Sequence, residues 1–95
     1  MSTEFDAVHN YNERLIFQLI SDSADRYPAL SDPELLADVA CVALNRIPPR
    51  YCCHDVDMSS YMSSDDRAKS EAAMKVAVEF AFGFVQSRIA SPIRR

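Results

Sequence analysis

The chain has a single glycine, Gly83, in 95 residues, and that glycine lies inside an apolar helical pattern rather than between two strand-like runs. Hairpin turns draw on glycine for their positive φ angles, so a chain this poor in turn chemistry is expected to be mainly α-helical. With 95 residues it is a single domain, and it buries about 60–65% of the surface that its unfolded form exposes. So small a core leaves stability marginal unless a second chain covers more surface, and self-association is expected.

Val8, Leu15, Ile16, Leu19 and Ile20 recur at spacings of three, four and seven, which predicts a helix over 6–24 with Asn12, Arg14, Gln18 and Asp22 on its outer face. Tyr27, Pro28, Ala29 and Leu30 interrupt the pattern. Ser31, with Pro33 in the first turn and Glu34 three positions later, reads as a capping box that opens a second helix over 32–46. Leu35, Leu36, Val39, Ala40, Val42 and Ala43 form its apolar stripe. Pro48 and Pro49 end it, because proline has no N–H and excludes helical geometry in the residue before it.

Residues 50–56 read as one short extended strand with no in-chain partner run, so pairing with the same segment of a second subunit is an economical solution. Met58 to Ser64 reads as a polar loop. Ser63 or Ser64, with Asp65 and Asp66, then caps a long helix over 64–89. Its inner side is assigned to Ala72, Ala73, Val76, Ala77, Phe80, Phe84 and Val85, widened by Val78 and Phe82. So wide an apolar arc exceeds the needs of one small monomer and points to a dimer interface. Residues 91–95 are expected to be a frayed tail. The expected fold is thus a mainly α domain of three to four helices with one short strand, forming a homodimer.

Fourteen acidic against ten basic residues give a net charge of −4, so direct DNA binding is not expected. Eight of the ten bases are arginines, and Arg46 and Arg50 flank the diproline, which leaves room for a small phosphorylated ligand. No apolar run approaches the ~20 residues of a membrane span, and Met1 to Asp6 has neither the basic nor the apolar stretch of a targeting segment. No membrane insertion and a cytoplasmic location are therefore expected. The odd cysteine count, Cys41, Cys52 and Cys53, argues against a disulfide framework. Cys52, Cys53 and His54 are too closely spaced for structural zinc, and only Cys41 and His9 remain to complete such a set, so no metal ligand is assigned. With no glycine-rich phosphate loop and no assembled nucleophile and base, the chain reads as a non-enzyme without a cofactor.

Two polar constellations stand out. Asn10 and Glu13 lie three apart, which on a helix puts both on nearly one face; the pair is either a polar site beside the apolar stripe, or else a solvated face or an asparagine capping the preceding turn. Asn45, Arg46, Arg50 and Tyr51 surround the rigid diproline and offer amide, forked guanidinium and ring-face chemistry. The alternative is that Asn45 and Arg46 satisfy the helix carbonyl end and that Tyr51 is core. Asp55, Asp57, Asp65 and Asp66 read as solvated loop and cap residues, although one carboxylate beside an arginine pocket would accept from the amino edge of a guanine.

The block Asp38-Val39-Ala40-Cys41-Val42-Ala43-Leu44-Asn45-Arg46-Ile47-Pro48-Pro49-Arg50-Tyr51, together with the N-x-x-E element Asn10 to Glu13, resembles the late competence development protein ComFB family. The resemblance runs from about Val8 to Ile89. It implies a small helical cytoplasmic homodimer without enzymatic activity, and relatives that are receptors for cyclic dinucleotides. Asn10, Glu13, Asn45, Arg46, Arg50 and Tyr51 carry over as the matching ligand-binding positions. A cyclic dinucleotide, cyclic di-GMP before cyclic di-AMP, is then the expected ligand, and an unidentified protein effector the expected partner. A ligand-independent protein-interaction module is the alternative. The cysteine cluster that some relatives carry just before the central block is replaced here by Leu30 to Leu35, so zinc binding does not carry over.

Overall fold

The computed structural model describes residues 3–90. The described residues comprise a short strand β1 (His9–Asn10), α1 (Asn12–Ser23), two 3-10 turns (Ala24–Arg26 and Pro28–Leu30), α2 (Pro33–Leu44), β2 (Tyr51–Cys52), α3 (Asp55–Tyr61) and α4 (Ser64–Ala90). The mainly helical expectation holds, with four α-helices and 73% helix among the described residues. The expected frayed tail at 91–95 lies outside the described residues.

The first helix starts six residues later than the apolar spacing predicts, at Asn12. Asn10 prevents an earlier start: its side-chain oxygen accepts from the Asn12 N–H, an Asx turn that begins α1 from an extended residue. Val8 therefore leaves the predicted stripe and is exposed. Asn12 moves the other way, from the expected outer face to full burial. Freed from the helix, His9 and Asn10 pair antiparallel with β2, His9 opposite Cys52 and Asn10 opposite Tyr51. The strand after the diproline thus has its partner within the chain, which corrects the expectation that a second subunit supplies it.

Asp32, not Ser31, caps α2, its carboxylate accepting from the Glu34 N–H at 2.8 Å. The helix ends before the diproline as expected, and Asn45 closes it by donating both its backbone N–H and its side-chain amide to the Cys41 carbonyl. The segment read as extended to residue 56 and then as loop instead turns into α3 at Asp55. Asp55 and Asp57 favour the helix start by facing its positive end. Bonds from other elements hold this polar helix in place, among them Tyr11 Oη with Ser59 Oγ at 3.1 Å, the Arg67 guanidinium donating to the Ser59 carbonyl at 3.0 Å, and His9 with Asp55. Ser63 caps α4 as expected, accepting from the Asp66 N–H.

The core is a three-helix packing in which α2 and α4 make the main interface and α1 closes the third side. Ile16 and Ile20 of α1, Leu30 of the second 3-10 turn, and Val39 and Ala43 of α2 meet a stripe of α4 formed by Met74, Ala77, Val78, Ala81, Phe82 and Val85. This stripe is rotated from the predicted one. Ala77 and Val85 are inside as expected, whereas Ala72, Ala73, Val76, Phe80 and Phe84 are exposed. Phe82, expected at the edge, is fully buried and stacks on Tyr27 with ring centroids 4.2 Å apart. Two apolar stripes on one helix give the sequence no means of choosing between them, and Tyr27 and the α2 stripe decide.

Candidate functional site

The diproline loop is positioned by a small set of bonds from the start of α1. Asn10 Oδ1 accepts from the Arg50 N–H at 3.0 Å, the Tyr11 N–H donates to the Arg50 carbonyl at 2.6 Å, and Asn12 Nδ2 donates to the Pro48 carbonyl at 3.1 Å. Because the Pro48 carbonyl only accepts, this last bond fixes the orientation of the Asn12 amide. Its Oδ1 is consequently buried and accepts from no protein group.

Held this way, the loop faces the first turns of α4 across a groove of about 270 Å³, lined by Asn12, Ile47, Pro48, Arg50, Asp66, Lys69, Ser70, Ala73 and Met74. Arg50 lies on one wall, and Asp66 and Lys69 on the other, with the Lys69 ammonium paired to Asp65 at 3.2 Å. A second, more apolar groove continues from it past Ile47, Pro48 and Ala73 to Arg46, Ala72, Val76 and Ala77. There the Arg46 guanidinium carbon lies over the Phe80 ring, 3.8 Å from its centroid. This is the cation–π stacking for which arginine is suited.

The six sequence-predicted residues therefore divide. Arg50 and Arg46 line two adjoining grooves. Asn10 is buried in backbone support rather than paired with Glu13 on a helix face, because it belongs to β1 and Glu13 to α1. Asn45 closes α2. Tyr51 is not core: it is 65% exposed on β2. Sequence reasoning missed Asn12, Lys69 and Ser70. Asn12 looked solvated because of its residue type, although its spacing of four and eight from Ile16 and Ile20 puts it on the buried stripe; Lys69 and Ser70 reach the loop only through tertiary packing.

A second polar cluster lies at the sheet. His9 Nε2 bonds Asp55 Oδ1 at 2.6 Å and lies 3.8 Å from Cys52 Sγ, while Cys52 Sγ is 3.7 Å from the same carboxylate oxygen. His9 Nδ1 donates to the Ala7 carbonyl at 2.8 Å. The Asp55 hydrogen bond raises the His9 pKa above its ordinary value, helped by the Ala7 carbonyl. The same bond lowers that of Asp55. Partial burial, with Asp55 beside it, raises the Cys52 thiol.

The family model for late competence development protein ComFB matches residues 9–89, from β1 to the last turn of α4. The chain belongs to the ComFB family. No curated protein and no solved structure matches it. In this ComFB-family chain the N-x-x-E element and the diproline block, distant in sequence, are joined by the Asn10 and Asn12 side chains. Among the described residues no helix is long and apolar enough to cross a membrane.

Proposed function

We propose that this chain is a non-enzymatic receptor for a cyclic dinucleotide, cyclic di-GMP in preference to cyclic di-AMP, that acts in the cytoplasm as a homodimer on a protein effector of a competence-related system. The observation that carries the reading is the groove between the diproline loop and α4, where the cations Arg50 and Lys69 stand beside one carboxylate, Asp66. The cations suit a phosphodiester, Arg50 by its forked donors. Asp66 suits a guanine, which offers N–H donors on its Watson–Crick edge where adenine offers a ring acceptor. At about 270 Å³ the groove is smaller than the roughly 300–1,000 Å³ of sites that enclose a whole small molecule. It fits one half of a twofold ligand, the other half falling to a second copy of the chain.

The exposed ridge of α4 supports the homodimer. Val76, Phe80 and Phe84 follow one another at helical spacing, Phe80 and Phe84 stack at 5.8 Å, and the monomer buries none of the three. The ridge runs beside the apolar groove that Arg46 closes.

Isothermal titration calorimetry with cyclic di-GMP and cyclic di-AMP tests the proposal. Binding of cyclic di-GMP with one or one half ligand per chain, weakened about tenfold or more (about 1.4 kcal/mol) by Arg50→Ala at unchanged helicity, is the expected result. Unchanged affinity in Arg50→Ala removes the groove as the site. Absence of heat with both nucleotides shifts the reading to a ligand-independent interaction module using the α4 ridge.

A further inference from the structure

The register of the two-stranded sheet places His9 directly opposite Cys52. Directly opposed residues project from the same face of an antiparallel pair with Cβ atoms about 4.5–5.5 Å apart. The chain then turns at Cys53 and His54 into α3, whose first residue, Asp55, comes back to the same face three positions after Cys52. One imidazole nitrogen, one sulfur and one carboxylate oxygen thus converge within 4.8 Å of one another.

We propose that His9 Nε2, Cys52 Sγ and Asp55 Oδ1 form a three-ligand site for a zinc-class divalent cation, with a fourth position open to water or to an outside ligand. Zinc bonds of about 2.0–2.1 Å to nitrogen, 2.3 Å to sulfur and 2.0–2.2 Å to oxygen, set at the tetrahedral angle, require donor separations of about 3.3–3.6 Å. The sulfur lies 3.8 Å from the nitrogen and 3.7 Å from the oxygen, within a few tenths of an ångström of that requirement. The nitrogen–oxygen distance of 2.6 Å is that of a proton shared between the two; a cation in place of the proton opens it by about 0.7 Å, a small rotation of two side chains.

The surroundings are those of a metal site. The Ala7 carbonyl accepts from Nδ1–H of His9, which in neutral imidazole leaves the lone pair on Nε2, and this is the outer bond that metal-bound histidines make. Arg14 Nε lies 3.6 Å from the other oxygen of Asp55, Oδ2, and so orients the carboxylate while leaving Oδ1 to the cation. A thiolate and a carboxylate together neutralise a dication, and sulfur with imidazole selects zinc-class metals over calcium or magnesium. His9 and Asp55 are each about one-third exposed, which gives the ion a way in. Neither Cys53 nor His54, both exposed, belongs to the site, so the adjacent Cys-Cys-His run is not the chelating unit. The site is separate from the dinucleotide groove and stands independently of the function proposed above.

The test is cobalt(II) titration of the chelator-treated full chain in reducing buffer, followed by zinc displacement. One equivalent of cobalt should give a tetrahedral spectrum with a thiolate-to-cobalt charge-transfer band, and zinc should abolish it. Cys52→Ser should remove the band, and His9→Gln should weaken binding about tenfold or more. Cys41→Ser and Cys53→Ser should leave both unchanged. Circular dichroism checks the fold of each variant, and His9→Gln, at the edge of a two-residue strand, provides a second reading if Cys52→Ser does not fold. A wild-type protein without a thiolate-to-cobalt band, a band that survives Cys52→Ser, or one lost in Cys53→Ser would each overturn the assignment.

Discussion

The side-chain oxygen of Asn10 accepts a hydrogen bond from the backbone N–H of Arg50 at 3.0 Å, across 40 positions of sequence. The same oxygen accepts from the Asn12 N–H at 3.1 Å, so one buried atom both starts α1 and pins the chain just after the diproline.

Asn10→Ala should accordingly destabilise the fold by about 2–3 kcal/mol, because it strands two backbone donors, at least one of them buried. Asn10→Asp keeps the acceptor and should lose clearly less. Urea unfolding followed by circular dichroism reads both, and a wild-type midpoint for Asn10→Ala would show that the bond holds nothing.

The phenylalanines of α4 should separate by role. Phe82→Ala opens a cavity beneath Tyr27 and should lose about 3–5 kcal/mol of stability. Phe80→Ala and Phe84→Ala remove rings that are 39% and 40% exposed, so they should change monomer stability little and self-association strongly. Sedimentation velocity beside chemical denaturation distinguishes the two effects.

The His9–Asp55 pair makes stability depend on pH in the chelator-treated protein. His9 has a raised pKa, so its contribution is present below its unfolded value and is lost as pH rises through the folded one. Asp55 has a lowered pKa, so its contribution is present above its unfolded value and is lost as pH falls through the folded one. The pair is therefore fully effective between about pH 4 and 6.5, the two unfolded values. Asp55→Asn should lower the melting temperature within that window, flatten its fall on either side, and return the His9 titration, read by NMR, towards its ordinary value.

Gly83 lies inside α4, where a methyl group would meet nothing within 4 Å. Gly83→Ala should therefore raise stability by about 0.5–1 kcal/mol, the usual helix-interior cost of glycine. A fall in melting temperature instead would mean that a second chain approaches α4 closely at this point.

The helical class, the interruption at Tyr27 to Leu30, the end of α2 and the cap of α4 are legible in the sequence, because each rests on local chemistry: scarce glycine, prolines without a donor, a serine ahead of acidic residues. The start of α1 is not, since apolar spacing continues back to Val8 and only the pull of Arg50 on Asn10 breaks it. Nor is α3 legible, a polar helix held by His9, Tyr11 and Arg67 from other elements. Of the candidate ligand residues, the arginines were visible as a type and a position around the diproline. Lys69 and Asp66 entered the groove only when α4 packed beside the loop.

What the sequence determined by itself is thus the local part: the three long helical segments, where prolines stop the second of them, and the block that marks the family. Tertiary structure alone decided which stripe of α4 faces inward, that β1 and β2 pair within one chain, and that His9, Cys52 and Asp55 meet. The physical reason is common to all three. Local propensity acts through neighbours a few residues away, whereas the choice between two apolar faces, or the meeting of groups more than 40 positions apart, is made by the packing that buries the most apolar surface and leaves the fewest backbone groups unpaired.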